Sequence, residues 1–210
     1  MIKLYYISQG QTPEEHLANI ERVCQAGCRQ VQLRLKNIDD KVLIDTAQRA
    51  KTMCSRYKTL LIINDSVDVA KTVDADGVHL GKNDTYPGLA KEILGPYKII
   101  GGTANTLEDC LELHKQGVDY IGLGPYRFTT TKKLLSPILG LEGYNNILTK
   151  LKERNIHIPV FAIGGILETD ITPIYETGIT GVAASGMLTN TSDEELIKLI
   201  QGCSKKELNQ

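Results

Sequence analysis

Short apolar segments alternate with helical patterns along the whole chain, and this alternation limits the possible folds more than any other feature. The strand candidates are 3–7, 30–34, 60–63, 77–80, 98–101, 120–123, 159–163 and 181–184. Several are apolar throughout, as parallel strands buried on both faces must be. Helix signals lie between them. Thr12-Pro13-Glu14-Glu15 predicts a capping box with proline in the first turn, and Ser192 to Glu195 repeats the box at the last helix. Gly27, Gly117 and Gly178 each stand where a helix should stop before a strand. Eight such units without a Pro- or Ser-rich linker predict one α/β domain, a single (β/α)8 TIM barrel over residues 1–203, with a polar tail at 204–210. The rival is an open doubly wound sheet, which would need a fingerprint such as G-x-G-x-x-G after the first strand. Ile7-Ser8-Gln9-Gly10 does not match it.

Composition narrows the function classes. The net charge is −1 over 210 residues, so no global field recruits nucleic acid or an anionic membrane. The expected partners are small molecules, with homo-oligomerisation left open. No apolar run approaches the ~20 residues of a membrane span. The segment Met1 to Ser8 is too short for a signal peptide. The five cysteines, Cys24, Cys28, Cys54, Cys110 and Cys203, are odd in number and contain no CxxC pair. They argue against a zinc site or a disulfide framework and for a reducing, cytoplasmic setting. Cys24 and Cys28, one turn apart, read as core-facing residues of a single helix.

A barrel of this kind carries its chemistry at the C-terminal ends of its strands. On the second strand, alternation puts Gln32, Arg34 and Lys36 on one face, with Leu33 and Leu35 on the other. If that face is the interior, two cations and an amide line the mouth and call for an anionic ligand. The third strand runs into Asn64-Asp65, and Asp84 follows the fourth. Two carboxylates on one rim suit Mg²⁺, which needs few protein ligands; the plainer alternative is that both cap the helices that follow. Thr103 ends the fifth strand. After the sixth comes a long polar loop with Thr129, Thr131 and Lys132. Glycine-rich ends at Gly164-Gly165 and Ser185-Gly186, on strands seven and eight, are where barrels commonly bind phosphate through backbone N–H groups. His79, between Val78 and Leu80, is read as pointing into the barrel as a satisfied core histidine. No Ser-His-Asp arrangement or reactive cysteine stands out.

Six segments, in order along the chain, carry a resemblance to a known family: Gln32-Leu33-Arg34-Leu35-Lys36, Ile63-Asn64-Asp65, Ala75-Asp76-Gly77-Val78-His79-Leu80-Gly81, Asp119-Tyr120-Ile121-Gly122-Leu123-Gly124-Pro125, Thr129-Thr130-Thr131-Lys132 and Ala162-Ile163-Gly164-Gly165-Ile166. Together they resemble thiamine-phosphate synthase, the thiamin phosphate pyrophosphorylase family, over nearly the whole chain. The resemblance implies a Mg²⁺-assisted transferase that joins 4-amino-2-methyl-5-hydroxymethylpyrimidine diphosphate to a thiazole phosphate, releasing pyrophosphate. It implies that Gln32, Arg34, Lys36, Asn64 and Lys132 hold the pyrimidine diphosphate, with Arg34, Lys36 and Lys132 stabilising the departing pyrophosphate. Asp65 and Asp84 would bind Mg²⁺. Thr103, Thr129, Thr131, Gly165, Ser185 and Gly186 would hold the thiazole phosphate.

The chain departs from the family's usual pattern at Lys82, where Gln is common, and at Thr103 and Gly186, where Ser is common. Two alternatives are a thiazole tautomerase-like paralogue and a non-catalytic regulatory barrel that binds a phosphate ligand. The retained Asn64, Asp65, Asp84 and Lys132 weigh against both.

Overall fold

The computed structural model describes residues 3–128 and 137–205. Eight parallel strands close into one barrel in sequence order. They are β1 (Lys3–Ile7), β2 (Gln30–Leu33), β3 (Leu60–Asn64), β4 (Gly77–Leu80), β5 (Ile99–Ala104), β6 (Tyr120–Leu123), β7 (Val160–Ile163) and β8 (Gly181–Ala184). The helices that return the chain are α1 (Pro13–Gln25), α2 (Asp40–Arg56), α3 (Val67–Thr72), α4 (Pro87–Leu94), α5 (Leu107–Lys115), α6 (Gly140–Glu153) and α7 (Ile171–Glu176), followed by α8 (Gly186–Thr189) and α9 (Asp193–Lys205). β1 pairs with β8 from Lys3 opposite Gly181 to Tyr6 opposite Ala184, which shuts the ring and rules out the open sheet. Among the described residues no helix is long and apolar enough to cross a membrane.

The caps form nearly as the sequence predicts. Thr12 Oγ1 accepts from Glu15 N at 3.2 Å, but the Glu15 carboxylate reaches back to Gln11 N, one residue before the cap. At the head of α9 Ser192 Oγ accepts from Glu195 N at 3.4 Å and donates to the Glu195 carboxylate at 2.9 Å, so that carboxylate meets the cap hydroxyl rather than a backbone N–H. Gly27 ends α1 at φ +99°, a conformation that costs glycine nothing. That turn overturns one expectation. Cys24 lies on α1, whereas Cys28 lies beyond the turn; both are buried. Strand ends also shift slightly, because pairing rather than composition sets them. β2 stops at Leu33, so Arg34 stands just past it, and α9 runs to Lys205, into the expected tail.

Alternation along the strands sorts two cores. Leu4, Tyr6, Val31, Leu33, Leu61 and Ile63 point outward into the layer between sheet and helices. Tyr5, Ile7, Ile62, Tyr120, Phe161 and Ala183 fill the barrel itself. Inside, Tyr5, Tyr120 and Phe161 pack edge to face, with ring centroids 5.5–5.9 Å apart. Their bulk dictates small residues opposite. A Cβ at Gly101 would overlap the Tyr120 ring, and one at Gly122 would press on His79 Cε1 at 3.1 Å.

Gly101→Ala is therefore expected to overpack the interior and cost about 1–3 kcal/mol of stability, read as a lowered midpoint in reversible denaturant unfolding. A midpoint equal to that of the unsubstituted chain would show that the Tyr120 ring can move aside.

Candidate functional site

The C-terminal rim gathers charge from β2, β3 and β4. Gln32 is buried inside the barrel, while Arg34 and Lys36 follow on the loop above it. Lys36 Nζ lies 2.8 Å from Asp65 Oδ2. Asp65 follows β3 with φ at +65°, and its N–H donates to the His79 carbonyl at 2.8 Å. The uncommon backbone conformation, which Asp tolerates better than most residues, brings its side chain to Lys36 and Asp84. Burial pushes the Asp65 carboxyl up. The Lys36 ammonium and hydrogen bonds with Asp84 and Asn64 outweigh that, and Asp65 is held below the ordinary aspartate range. Asp84 moves the other way. Burial raises it first and the adjoining Asp65 charge adds to that, against the pull of the Gly81 N–H, which donates to it at 2.6 Å. Two carboxylates this close cannot both ionise freely without added positive charge.

Arg34 borders a cavity of about 320 Å³ between the β1 and β2 loops, lined also by Ser8, Gln9, Lys36, Asn37 and Ser185. No carboxylate is among its lining residues, and two cations are, so it favours an anion. Burial draws the Arg34 guanidinium down from its ordinary value, with Asp65 pulling it back. At the back of the cavity Ser8 Oγ accepts from Arg34 N at 3.0 Å and lies 2.7 Å from His16 Nδ1. Burial, the largest effect, keeps the His16 imidazole below its usual range. Ser8 and His16 form a pair that sequence reading missed: eight residues apart and with no carboxylate in pattern, they gave no signal. Bonded to both Arg34 N–H and the His16 ring, Ser8 ties the β2 loop to α1.

The phosphate-cup candidates come from β7 and β8. Ser185 Oγ donates to Gln9 Oε1 at 3.2 Å, which links β8 to the cavity holding Arg34 and Lys36. Gly186 opens α8, where a Cβ would find Gln9 Oε1 at 3.4 Å, an ordinary contact. Gly165 sits at φ +68°, and a Cβ there would meet the Phe128 carbonyl oxygen at 2.9 Å and Arg127 Cβ at 3.1 Å. A larger residue at 165 thus disturbs segment 126–128 before it fills any cup. Arg127 braces this corner. Its guanidinium grips Asp170 at 2.7 and 3.0 Å and donates to the Gly165 carbonyl at 3.0 Å. Asp170 falls outside every motif and was not foreseen. Thr129, Thr131 and Lys132 lie outside the described residues.

Lys82, which departs from the family pattern, turns away from the carboxylate pair. Its Nζ lies 2.6 Å from Asp109 Oδ2, and Asp109 caps α5 by accepting from Asn105 and Thr106 N–H groups.

A hydrogen-bond chain crosses the barrel below the rim. Gln32 Nε2 donates to Tyr5 Oη at 2.8 Å, Tyr5 Oη lies 2.9 Å from Tyr120 Oη, Tyr120 Oη 3.0 Å from His79 Nδ1, and His79 Nε2 3.0 Å from Thr103 Oγ1. The expected core position of His79 is what the structure has, with both ring nitrogens bonded.

Replacing Lys36 by Met should remove the cation that holds Asp65 down. Burial and the nearby Asp84 then act without it, so the Asp65 titration midpoint moves up. Carboxyl-carbon NMR titration reads this directly; an unmoved midpoint would show that Lys36 does not control the pair.

A family model described as thiamine monophosphate synthase matches residues 4–188. A thiamine-phosphate synthase from Flavobacterium johnsoniae is 51% identical over 204 residues, which are 97% of this chain and 95% of that one. One from Bacteroides fragilis is 45% identical over 193 residues, covering 92% and 95%. The solved thiamine phosphate pyrophosphorylase from Pyrococcus furiosus superposes with a TM-score of 0.84 at 31% identity, over 99% of this chain and 98% of that one.

Proposed function

This chain belongs to the thiamine monophosphate synthase family and is a transferase of the thiamine-phosphate synthase type, and from that premise we propose how its own residues perform the reaction. The substrates are 4-amino-2-methyl-5-hydroxymethylpyrimidine diphosphate and a thiazole phosphate; the products are thiamine phosphate and pyrophosphate. The C–O bond to pyrophosphate breaks first, the aminopyrimidine ring carries the resulting cation, and the thiazole nitrogen attacks it. That nitrogen has no proton to lose, so no general base is required. Most of the work is electrostatic stabilisation of the leaving group and alignment of two rings.

The observation that best supports this assignment is the convergence of Arg34, Lys36, Asp65 and Asp84 on one rim, beside an anion-favouring cavity. Arg34 and Lys36 would take the diphosphate charge, Gln32 and Asn64 the pyrimidine. Asp65 and Asp84 fit a magnesium ion: both offer hard oxygen donors, and Asp84, raised by burial and then by its neighbour, gains most from a cation between them. Among the described residues no group of three or more His, Cys, Asp or Glu forms a fuller metal cage, and an ion that keeps waters or phosphate oxygens in its shell needs none. When bound, it would neutralise charge on the departing pyrophosphate. The thiazole phosphate would lie toward Thr103, Gly165, Ser185 and Gly186, with Arg127 and Asp170 holding the Gly165 corner.

The direct test is pyrophosphate release by the purified chain with both substrates and Mg²⁺, and none when either substrate is omitted. Asp65→Ala should lower turnover at least about tenfold and flatten its dependence on Mg²⁺, as read from steady-state rates across a magnesium titration. Unchanged turnover and Mg²⁺ dependence in a folded Asp65→Ala chain would remove the carboxylate pair from the metal site.

A further inference from the structure

Ser8 ends the pairing of β1 with β2 through its side chain. The ladder puts Ile7 opposite Gln32, and Ser8 N–H donates to the Gln32 carbonyl at 2.9 Å. The next rung of a parallel ladder would take Arg34 N–H to the Ser8 carbonyl. It goes instead to the Ser8 hydroxyl, with Oγ accepting at 3.0 Å. Arg34 thereby keeps the strand alternation one step past the end of β2. It stays on the face of Gln32, at the mouth, while Leu33 is buried toward the helices. With its carbonyl outside the ladder, the chain after Ser8 leaves β2. The space between the two loops is the cavity that Ser8, Gln9, Arg34 and Lys36 line.

The hydroxyl is itself held. His16 on α1 is buried, with Nδ1 2.7 Å from Ser8 Oγ. Whichever of the two gives its proton to the other, the hydroxyl oxygen keeps a lone pair for Arg34 N–H. Gly10 makes room for the imidazole: a Cβ there would meet His16 N at 2.9 Å and Cδ2 at 3.0 Å. The β1 loop is fastened to the same helix by Asn19, whose amide donates to the Gln9 carbonyl at 2.8 Å. The Glu15 carboxylate adds a second tie by accepting from Gln11 N–H at 2.7 Å. Loop and helix form one block, and Ser8 Oγ joins that block to the Arg34 backbone.

We propose that Ser8 and His16 are positioning residues for Arg34: the hydroxyl, fixed by the imidazole, holds the Arg34 backbone at the rim and so presents its guanidinium to the cavity and the diphosphate. Neither residue has to touch the ligand. The identity of that anion rests on the proposed function. Loss of the hydroxyl leaves the guanidinium chemically intact but frees the backbone beneath it, and binding of the diphosphate weakens.

Two measurements test this. The first needs no ligand. NMR relaxation of Arg34 Nε–H in the full chain should show an ordered guanidinium in the unsubstituted protein and a looser one in Ser8→Ala. Ser8→Thr, which keeps the hydroxyl, should restore the order. Equal order in all three overturns the proposal, whatever the chain binds. The second is the dissociation constant for inorganic pyrophosphate in the presence of Mg²⁺, read by calorimetry. Ser8→Ala and His16→Leu should each raise it about three- to tenfold. His16→Asn, whose amide can reach Ser8 Oγ from the place of Nδ1, should recover most of the loss. In an Arg34→Met chain, Ser8→Ala should change the constant by less than about twofold, because the group it positions is gone. The same loss with and without Arg34 in folded chains makes Ser8 a structural residue only and overturns the proposal. No pyrophosphate binding by the unsubstituted chain would count against the proposed function, and the order of Arg34 would still decide this inference. Should Ser8→Ala not fold, His16→Leu and His16→Asn carry both measurements, and equal effects of the two overturn it.

Discussion

The hydrogen bond between Tyr5 and Tyr120 is the constraint on which the interior depends. It joins β1 to β6, strands that are not neighbours in the barrel, across the space that a closed eight-stranded ring must fill. Aromatic rings fill that space well, but each tyrosine also brings a hydroxyl that cannot be left without a partner. Pairing the two hydroxyls with each other leaves one acceptor and one donor still to satisfy. Gln32 on β2 and His79 on β4 do this, and His79 in turn needs Thr103. A polar floor under the charged rim follows from packing tyrosines rather than phenylalanines at the centre.

Above that floor the charges are arranged by loop geometry more than by the strands. Asp65 reaches Lys36 and Asp84 only because its backbone takes the left-handed conformation directly after β3. A non-glycine residue in that region carries a local cost, and here the cost coincides with a place where two carboxylates and a lysine meet. Lys82 shows the opposite arrangement. It is close in sequence to Asp84 yet belongs electrically to α5 through Asp109, so the added cation does not neutralise the carboxylate pair.

The barrel was legible in the sequence because its signal is redundant. Eight strand patterns, helix caps at Thr12 and Ser192, and terminating glycines such as Gly27 all give the same answer. Candidate residues at strand ends were legible for a related reason: the fold fixes which end carries function, and alternation fixes which side chains face inward, as Gln32 and Leu33 show. What the sequence did not reveal depends on contacts between distant segments. Nothing local marks Asp170 as the partner of Arg127, forty-three residues away, or Ser8 as the partner of His16. Cys28 was placed on a helix because helical spacing is a local rule, and the Gly27 turn broke it. The burial of Tyr5 and Tyr120 could be guessed, but their pairing could not, since it joins residues 115 positions apart.

These features bear together on the chemistry. The proposed reaction through a carbocation would be endangered by any stray nucleophile within reach, and by water. A barrel interior whose two phenols stay protonated and hydrogen-bonded is a poor source of either. Burial raises both tyrosines far from ionisation, and the hydrogen-bond chain gives their oxygens partners already. The cations and carboxylates proposed to act on the departing pyrophosphate sit one layer higher, on loops, where Arg34 and Lys36 border the cavity. Separation by height thus lets one scaffold gather strong charge at its rim while keeping the surface beneath it chemically quiet, which is what the proposed mechanism, with no protein base or nucleophile, would require.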